Sequence, residues 1–534
     1  MGLKSEIKSF FKGDVLEDPG TLANFSRDTS LFEVRPKMVV FPKDVEDIKN
    51  LVKFVQKTNP PTGGLSLTCR SAGTDMTGGP LNESIIVVFT KYFKKIKEVG
   101  EDYVIAEPGV FYRDLEKETM KKDLIMPSYP ASREICAVGG MVANNAGGEK
   151  TLSYGKTEDY VKELKVVLKD GNEYTIKPLN KEQLDQKINR GGFEGKIYQE
   201  IYKLISENHD LIKSAKPQVS KNSAGYNIWK IWDGEIFDLT KLFVGSQGTL
   251  GIVTEVKFKL MHPKKFSKML VIFLKDLNPL ATVVHKVLEF KPESFESFDD
   301  HTLKLGIQYL FFRFALKFLP ELWMIVTGGL PRLVLIAEFT GDSQEEVNGK
   351  AHEAQNALKE FGVKTRITTD QEDARKYWTI RRESFNLLRT KIKSKKTAPF
   401  IDDIIVFPEK LPKFLPKLDE LLKKYEITYT IAGHIGDGNF HIIPLMDLSD
   451  PKSKKIIIEL TEKVYDLVFE FKGSMTAEHN DGLIRTPFLH RMYGDKIYNL
   501  FKDIKKILDP DNIFNPGKKV DGELDYAINH LKKK

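Results

Sequence analysis

Three glycine-rich segments, each placed just after a β-rich run, constrain this chain more than any other feature. They are Arg70-Ser71-Ala72-Gly73-Thr74-Asp75-Met76-Thr77-Gly78-Gly79, Gly139-Gly140-Met141-Val142-Ala143-Asn144-Asn145-Ala146-Gly147-Gly148 and Gly245-Ser246-Gln247-Gly248-Thr249-Leu250-Gly251. Glycine tolerates positive φ and lets successive N–H groups converge on an anion with no side chain between them. Two such loops can hold a pyrophosphate without a lysine. None of the three fits the G-x-G-x-x-G or P-loop spacing, which removes the main support for a Rossmann dinucleotide site or a kinase-like ATP site. A single loop of this kind reads as turn chemistry. Three in one chain, each flanked by strands, read as a cofactor cradle.

Around the loops, β-rich runs alternate with amphipathic stretches. Residues 39–42 predict a strand, followed by an acidic helix start at Asp44-Val45-Glu46-Asp47 and the helical spacing Ile48, Leu51, Val52, Val55. Residues 65–68 and 85–89 predict buried strands, and 164–168 with 174–176 predict a hairpin through Asp170-Gly171. From 266 to 475 the pattern becomes a separate α+β unit, with strands at 269–273 and 333–339 and helices near 343–361 and 409–424. The tail returns to helix near 487–508.

Composition narrows the partners. Lys and Arg number 82 against 75 Asp and Glu, a surplus of +7 over 534 residues. That is too small to argue for nucleic acid and is compatible with small anionic substrates or an anionic membrane surface. Two cysteines, Cys69 and Cys136, exclude a disulfide framework, a four-cysteine zinc site and an iron–sulfur cluster held by this chain alone. A reducing, cytoplasmic setting is expected. The N-terminus lacks the apolar core of a signal peptide. Arg313, Lys317, Pro320, Glu321 and Arg332 interrupt the most apolar stretch, so no uncharged run reaches the roughly 18–20 residues of a membrane span. The greasy, basic part at 310–319 reads first as a core or cap helix with snorkelling cations. The alternative is an interfacial helix resting the protein on the inner face of a membrane.

The strongest chemical signal is Gly433-His434-Ile435-Gly436-Asp437-Gly438-Asn439-Phe440-His441. A two-residue turn at Asp437-Gly438 would set 436 against 439 and His434 against His441, as a cross-strand pair roughly 4.5–5.5 Å apart at Cβ. Two imidazoles so placed can share a metal ion. Ala477-Glu478-His479 offers a carboxylate as the third ligand, and two His with one carboxylate suit Zn²⁺, Mn²⁺ or Fe²⁺.

Taken together, these motifs resemble the vanillyl-alcohol oxidase type of FAD-binding fold, in the branch of FAD-linked D-2-hydroxy-acid dehydrogenases. That branch includes D-lactate dehydrogenases, glycolate oxidase flavin subunits and D-2-hydroxyglutarate dehydrogenases. The likeness runs from Arg35-Pro36-Lys37 to the Asp509-Pro510-Asp511-Asn512-Ile513-Phe514-Asn515-Pro516-Gly517-Lys518 segment. It implies an α+β molecule: an N-terminal helical segment (1–34), an FAD-binding domain (35–265), a substrate cap (266–475, with 305–332 as the apolar basic insertion) and a C-terminal segment (476–534) that returns to complete the site.

By resemblance, Arg70, Ser71, Ala72, Gly73, Thr74, Asp75, Gly78 and Gly79 of the first loop contact FAD. So do Pro130, Ser132, Gly139, Gly140, Asn144, Ala146 and Gly147 around the second, Gly248, Gly251, Ile252 and Val253 around the third, and Asn515. Relatives that bind FAD covalently carry His where Thr74 stands, so the FAD here is expected to be non-covalent. The resemblance assigns His434, His441 and Glu478 to the metal and His479 to the base that removes the substrate hydroxyl proton. It makes Arg381, in Trp378-Thr379-Ile380-Arg381, the clamp for the substrate carboxylate, and brings Tyr226 to the substrate side. The family's usual Glu-His-Gly-Ile-Gly reads Glu478-His479-Asn480-Asp481-Gly482 here. Asn480 can take the left-handed conformation of the missing glycine, while Asp481 adds a carboxylate. The expected reaction is oxidation of a small D-2-hydroxy acid, D-lactate foremost, to the 2-oxo acid. Electrons then pass to an external acceptor: a quinone, a carrier protein or a partner subunit. The competing expectation is an oxidase of the same fold acting on an aldonolactone or making an ether lipid, chemistry that needs no such metal.

Overall fold

The computed structural model describes residues 2–58, 64–304, 329–391, 396–425 and 427–532. Strands β1 (Asp14–Leu16), β2 (Met38–Phe41), β3 (Leu67–Arg70) and β4 (Ile85–Val88) form a sheet in the order β1-β2-β4-β3. β4 lies parallel to both β2 and β3 and is buried along its whole length, as its unbroken Ile85-Ile86-Val87-Val88 run requires of a strand covered on both faces. The helix Val45–Thr58 buries Ile48, Leu51, Val52 and Val55 against this sheet, the stripe that the spacing predicts. The N-terminal segment is more than helical: besides the helices Leu3–Lys8 and Pro19–Phe25 it contributes β1, antiparallel to β2. The C-terminal segment returns to the opposite edge, where Leu67 N–H donates to Ile513 O (2.7 Å) and Asn515 N–H to Leu67 O (2.9 Å).

A second sheet joins β5 (Ile96–Val99), β6 (Tyr103–Ala106), β7 (Val161–Val167) and β8 (Glu173–Ile176), while β9 (Leu179–Asn180) and β10 (Ile236–Phe237) make a short ribbon. β11 (Ile252–Lys259), leaving the third glycine loop, enters the second sheet between β6 and β7. The predicted β7–β8 hairpin forms, with Gly171 at φ 71° in its turn.

The cap is built on a third sheet: β12 (Phe266–Leu274), β13 (Ser294–Asp299), β14 (Leu333–Gly341), β15 (Lys364–Ile367), β16 (Lys396–Thr397), β17 (Ile404–Ile405), β18 (Thr428–His434) and β19 (Asn439–Met446). Its order is β15-β12-β14-β13-β18-β19-β16, with β17 also on β19. Alternation along β12 divides its two faces. Leu270 and Ile272 join the core beneath the helices Gln344–Ala357, Leu411–Lys423 and Pro451–Glu470, while Met269, Val271 and Phe273 pack with Tyr377, Trp378 and Ile380 of the helix Gln371–Lys391. Phe298 and Ala432 also pack on that second face, so Glu296 and His434, each two residues away along its strand, share it. Residues 305–328 of the apolar insertion lie outside the described residues. Among those described, no helix is long and apolar enough to cross a membrane.

Candidate functional site

The glycine loops and the histidine-bearing face of the cap sheet line a single cleft of about 310 Å³. Asp75 organises the first loop: its Oδ2 accepts from Thr77 N–H (2.9 Å), the Thr77 hydroxyl (2.8 Å) and Gly79 N–H (2.8 Å). Its Oδ1 accepts from Asn144 Nδ2 (3.1 Å), which fastens the first loop to the second. Asn480 fastens the second to the third, donating to Asn144 O (3.2 Å) and Gly245 O (2.9 Å) from a backbone at φ 71°, the left-handed conformation expected of it. The cradle has room for a ligand backbone. A Cβ on Gly140 would meet only Ser71 Cβ, at 3.6 Å, whereas one on Gly139 would lie 2.5 Å from Pro108 Cβ.

Most residues expected at the cofactor line this cleft: Ser71, Ala72, Gly73, Thr74, Asp75 and Gly79, then Pro130, Ser132, Gly139, Gly140, Asn144, Ala146 and Gly147, then Gly248, Gly251 and Val253. Arg70, Gly78, Ile252, Asn515 and Tyr226 are not among its lining residues. The Arg70 guanidinium donates to Arg27 O (2.7 Å), holding the N-terminal segment under the loop. Gly78, at φ 82°, packs against Phe32 and Leu483, and Ile252 is fully buried. Asn515 accepts from the Thr68 hydroxyl (3.0 Å) and donates to Gly79 O (2.9 Å) and Gln247 O (2.7 Å), tying the first loop to the third from behind. Tyr226 shares a hydrogen bond with the Thr249 hydroxyl at 2.7 Å and packs edge-on against Phe501, which places it in the core behind the cleft lining.

The histidine hairpin forms with a different register from the expected one. His434 pairs with Asn439 and His441 with Ala432, joined by a four-residue turn 435–438. The shift from the predicted pairing is two residues. A one-residue slip would have sent one imidazole to the far face; two preserves parity, so both rings stay on one face as diagonal neighbours. Their centroids are 5.2 Å apart. His434 Nε2 lies 3.5 Å from Glu478 Oε2, and the His479 ring stacks on His441 at 5.0 Å.

Asp403, His441, Glu478 and His479 also converge, each offering an atom within 4.8 Å of the others. Asp403 is the weaker ligand candidate because its oxygens are engaged. Oδ2 accepts from Thr476 Oγ1 (2.7 Å), Glu478 N–H (2.8 Å) and His479 N–H (2.7 Å), and Oδ1 from Asn439 Nδ2 (3.2 Å). With Asp403 set aside, His441, Glu478 and His479 remain of that group, and His434 stands next to it with Nε2 3.5 Å from Glu478 Oε2.

Residues that sequence reasoning missed set the electrostatics. Buried Lys221 sits 2.5 Å from Glu478 Oε1 and 3.1 Å from Asp437 Oδ2. Burial opposes the Glu478 charge, but Lys221 and then His434 overcome it and hold the carboxyl well below its usual range. Glu296 lies 2.5 Å from His434 Nδ1 and 3.0 Å from Arg381 Nε. Asp402 lies 3.2 Å from His441 Nδ1 and 2.7 Å from His479 Nδ1. Burial works against a proton on His434 and His479, yet Glu296 beside the first and Asp403 with Asp402 beside the second raise each to about 9. For His441 burial wins and the pKa falls. A cluster whose carboxylates hold extra protons on imidazoles is suited to a divalent cation in their place. One signal was available: Asp402-Asp403 interrupts the apolar stretch Phe400, Ile401, Ile404, Ile405, and buried charges there need partners. Asp481 stays out of the cleft, since it is fully buried, lies 2.9 Å from Lys519 Nζ and accepts from Gly225 N–H at 2.9 Å.

Comparison with known proteins agrees with this architecture. A family model described as an FAD binding domain matches residues 36–177, and one described as FAD linked oxidases, C-terminal domain, matches residues 264–519. The chain is 25% identical to D-2-hydroxyglutarate dehydrogenase of Pseudomonas putida over 97% of its own length, and spans about half (51%) of that relative. It is 26% identical to D-lactate dehydrogenase of Anaerostipes hadrus, over 91% of this chain and 90% of that one. Among solved structures, 4-ethylphenol oxidase from Gulosibacter chungangensis superposes with a TM-score of 0.70 at 17% identity, covering 98% of this chain and 97% of that one. The fold is therefore the expected vanillyl-alcohol oxidase type.

Proposed function

Because the chain belongs to the FAD-linked oxidase family, we propose that it oxidises D-2-hydroxy acids to 2-oxo acids, with D-lactate the preferred substrate. In this reading FAD is held non-covalently, Thr74 offering no covalent attachment, and a divalent ion sits on His434, His441 and Glu478. The observation that carries the proposal is that the cofactor loops, these three side chains, His479 and Arg381 all line one cleft.

Bound FAD supplies the acceptor for the hydrogen that leaves C2 with its electron pair. A divalent ion, which His434, His441 and Glu478 would hold, would supply positive charge that lowers the pKa of the substrate hydroxyl. Arg381, brought to the sheet face by the helix Gln371–Lys391 and only 7% exposed, supplies the guanidinium for the substrate carboxylate. His479 takes the hydroxyl proton. To do so its ring must be neutral, and positive charge on the adjacent ligands opposes the proton that Asp403 and Asp402 would otherwise retain. Ile443, two residues beyond His441 on β19, lines the same cleft and is 3% exposed. In this reading Ile443 stands beside a short, uncharged substrate side chain, while Arg382, which lines the cleft too, keeps its guanidinium on Glu149. Electrons then leave to an external quinone, carrier protein or partner subunit.

The test is anaerobic mixing of the FAD-loaded protein with D-lactate, D-2-hydroxyglutarate and their L-enantiomers, following flavin absorbance. D-Lactate should bleach it fastest, and EDTA should abolish the bleaching. Failure of every D-2-hydroxy acid to reduce the flavin would overturn the proposal, and bleaching untouched by EDTA would remove the metal from it.

A further inference from the structure

Two buried carboxylates each touch one member of the metal set and one substrate-facing group. Asp402, with no exposed surface, has Oδ1 3.2 Å from His441 Nδ1 in a hydrogen bond and Oδ2 2.7 Å from His479 Nδ1 in a close charge contact. Glu296, 1% exposed, has Oε1 2.5 Å from His434 Nδ1 and Oε2 3.0 Å from Arg381 Nε. The two arrangements are equivalent in logic: one oxygen on a ligand histidine, the other on a group that handles substrate.

We propose that Asp402 and Glu296 are positioning residues that yoke the metal ligands to the catalytic base and to the carboxylate clamp. The inference rests on the functional reading above and deepens it. A carboxylate facing Nδ1 keeps the proton on that nitrogen and leaves Nε2 as the lone-pair donor. His434 and His441 thereby offer Nε2 to a cation, and His479 offers Nε2 to the substrate hydroxyl. Asp402 cannot drift, because its carbonyl accepts from buried Arg485 Nη2 (2.6 Å), while the next residue, Asp403, binds the backbone N–H groups of Glu478 and His479 (2.8 and 2.7 Å). The His441 and His479 rings stack within 24° of parallel, 5.0 Å apart, with both Nδ1 atoms close to the one Asp402 carboxylate. Moving either ring disturbs the other, so ligand geometry and base geometry are set together.

The experiment compares the FAD-loaded parent with Asp402→Asn and Glu296→Gln. Zinc affinity is measured by calorimetry, and flavin reduction by D-lactate is followed by stopped flow at saturating zinc. Both variants should lose about 10–100-fold in zinc affinity. Asp402→Asn should lower the limiting reduction rate about 100-fold with substrate affinity nearly unchanged. Glu296→Gln should weaken substrate binding about tenfold or more, with a smaller effect on the limiting rate. Zinc affinity and rates within twofold of the parent, or identical losses of rate and substrate affinity in both variants, would overturn the yoke. Should a variant fail to fold, ¹⁵N imidazole shifts of the zinc-loaded parent decide the matter: Nδ1–H tautomers on His441 and His479 support it, Nε2–H tautomers refute it. A parent that no D-2-hydroxy acid reduces would fail the functional reading alone, since tautomers and zinc affinities still report on the yoke.

Discussion

Replacing Asp28 by Asn is expected to stabilise the protein above neutral pH and to do little near pH 4. Asp28 lies under the first glycine loop. Its Oδ1 accepts from Ser30 N–H at 2.9 Å and from the Ser30 hydroxyl, while its Oδ2 is buried without a hydrogen-bond partner among the described residues. Burial, and after it the charge of Asp75, pushes the carboxyl up to about 7 from its ordinary 3.8. A carboxyl with a raised folded-state pKa keeps its proton in the native state after the unfolded chain has lost its own. The resulting penalty is absent below pH 3.8, grows as pH rises towards 7 and is constant above it. At about 1.36 kcal/mol per pH unit the full span is on the order of 4 kcal/mol. Asp28 as a whole is only half-buried, and hydration should leave about 2 kcal/mol. Thermal unfolding of parent and Asp28→Asn at pH 5, 6, 7 and 8 is the assay. The stabilisation should widen from pH 5 to 7 and then level off. A gain independent of pH, or a variant less stable than the parent at pH 8, would show that Asp28 is satisfied in the native state and refute the reasoning.

Gly140→Leu separates folding from cofactor binding. Because a Cβ there meets only Ser71 Cβ at 3.6 Å, apo-protein stability should change by no more than about 0.5 kcal/mol, whereas FAD occupancy should fall at least tenfold by absorbance. Lys519→Met leaves Asp481 as an unpaired charge with no exposed surface and should cost about 3–5 kcal/mol in denaturant unfolding. Adding Asp481→Asn should restore part of it, and equal stability of the single and double variants would contradict the pairing. With His434 raised to about 9, a cation must displace a proton at pH 7, so zinc affinity should rise roughly tenfold per pH unit between pH 6 and 8. Calorimetry showing a flat profile would exclude His434 as a protonated ligand.

Signals confined to a few neighbouring residues were read well. The stripe Ile48, Leu51, Val52, Val55, the buried run 85–88, the Asp170-Gly171 hairpin and the left-handed Asn480 all follow from local sterics and periodicity. The shared face of His434 and His441 also followed, through the parity of a strand, although the register did not, because a four-residue turn replaced the two-residue one. The places of Tyr226 and Asn515 were not legible in the same way. Each is a buried hydrogen-bonding residue standing behind the cleft wall, and motif position alone cannot distinguish one side of a wall from the other.

By itself, then, the sequence determined that glycine loops, a paired-histidine hairpin and a Glu-His segment exist, since each depends on residues within about ten positions of one another. The tertiary structure alone decided what surrounds them. Glu296 meets Arg381 and His434 across 85 and 138 positions, and Lys221 meets Glu478 across 257. Buried charges must find partners wherever packing leaves them. Those partners come from strands and helices brought together by the burial of apolar faces, a process that is indifferent to distance along the chain.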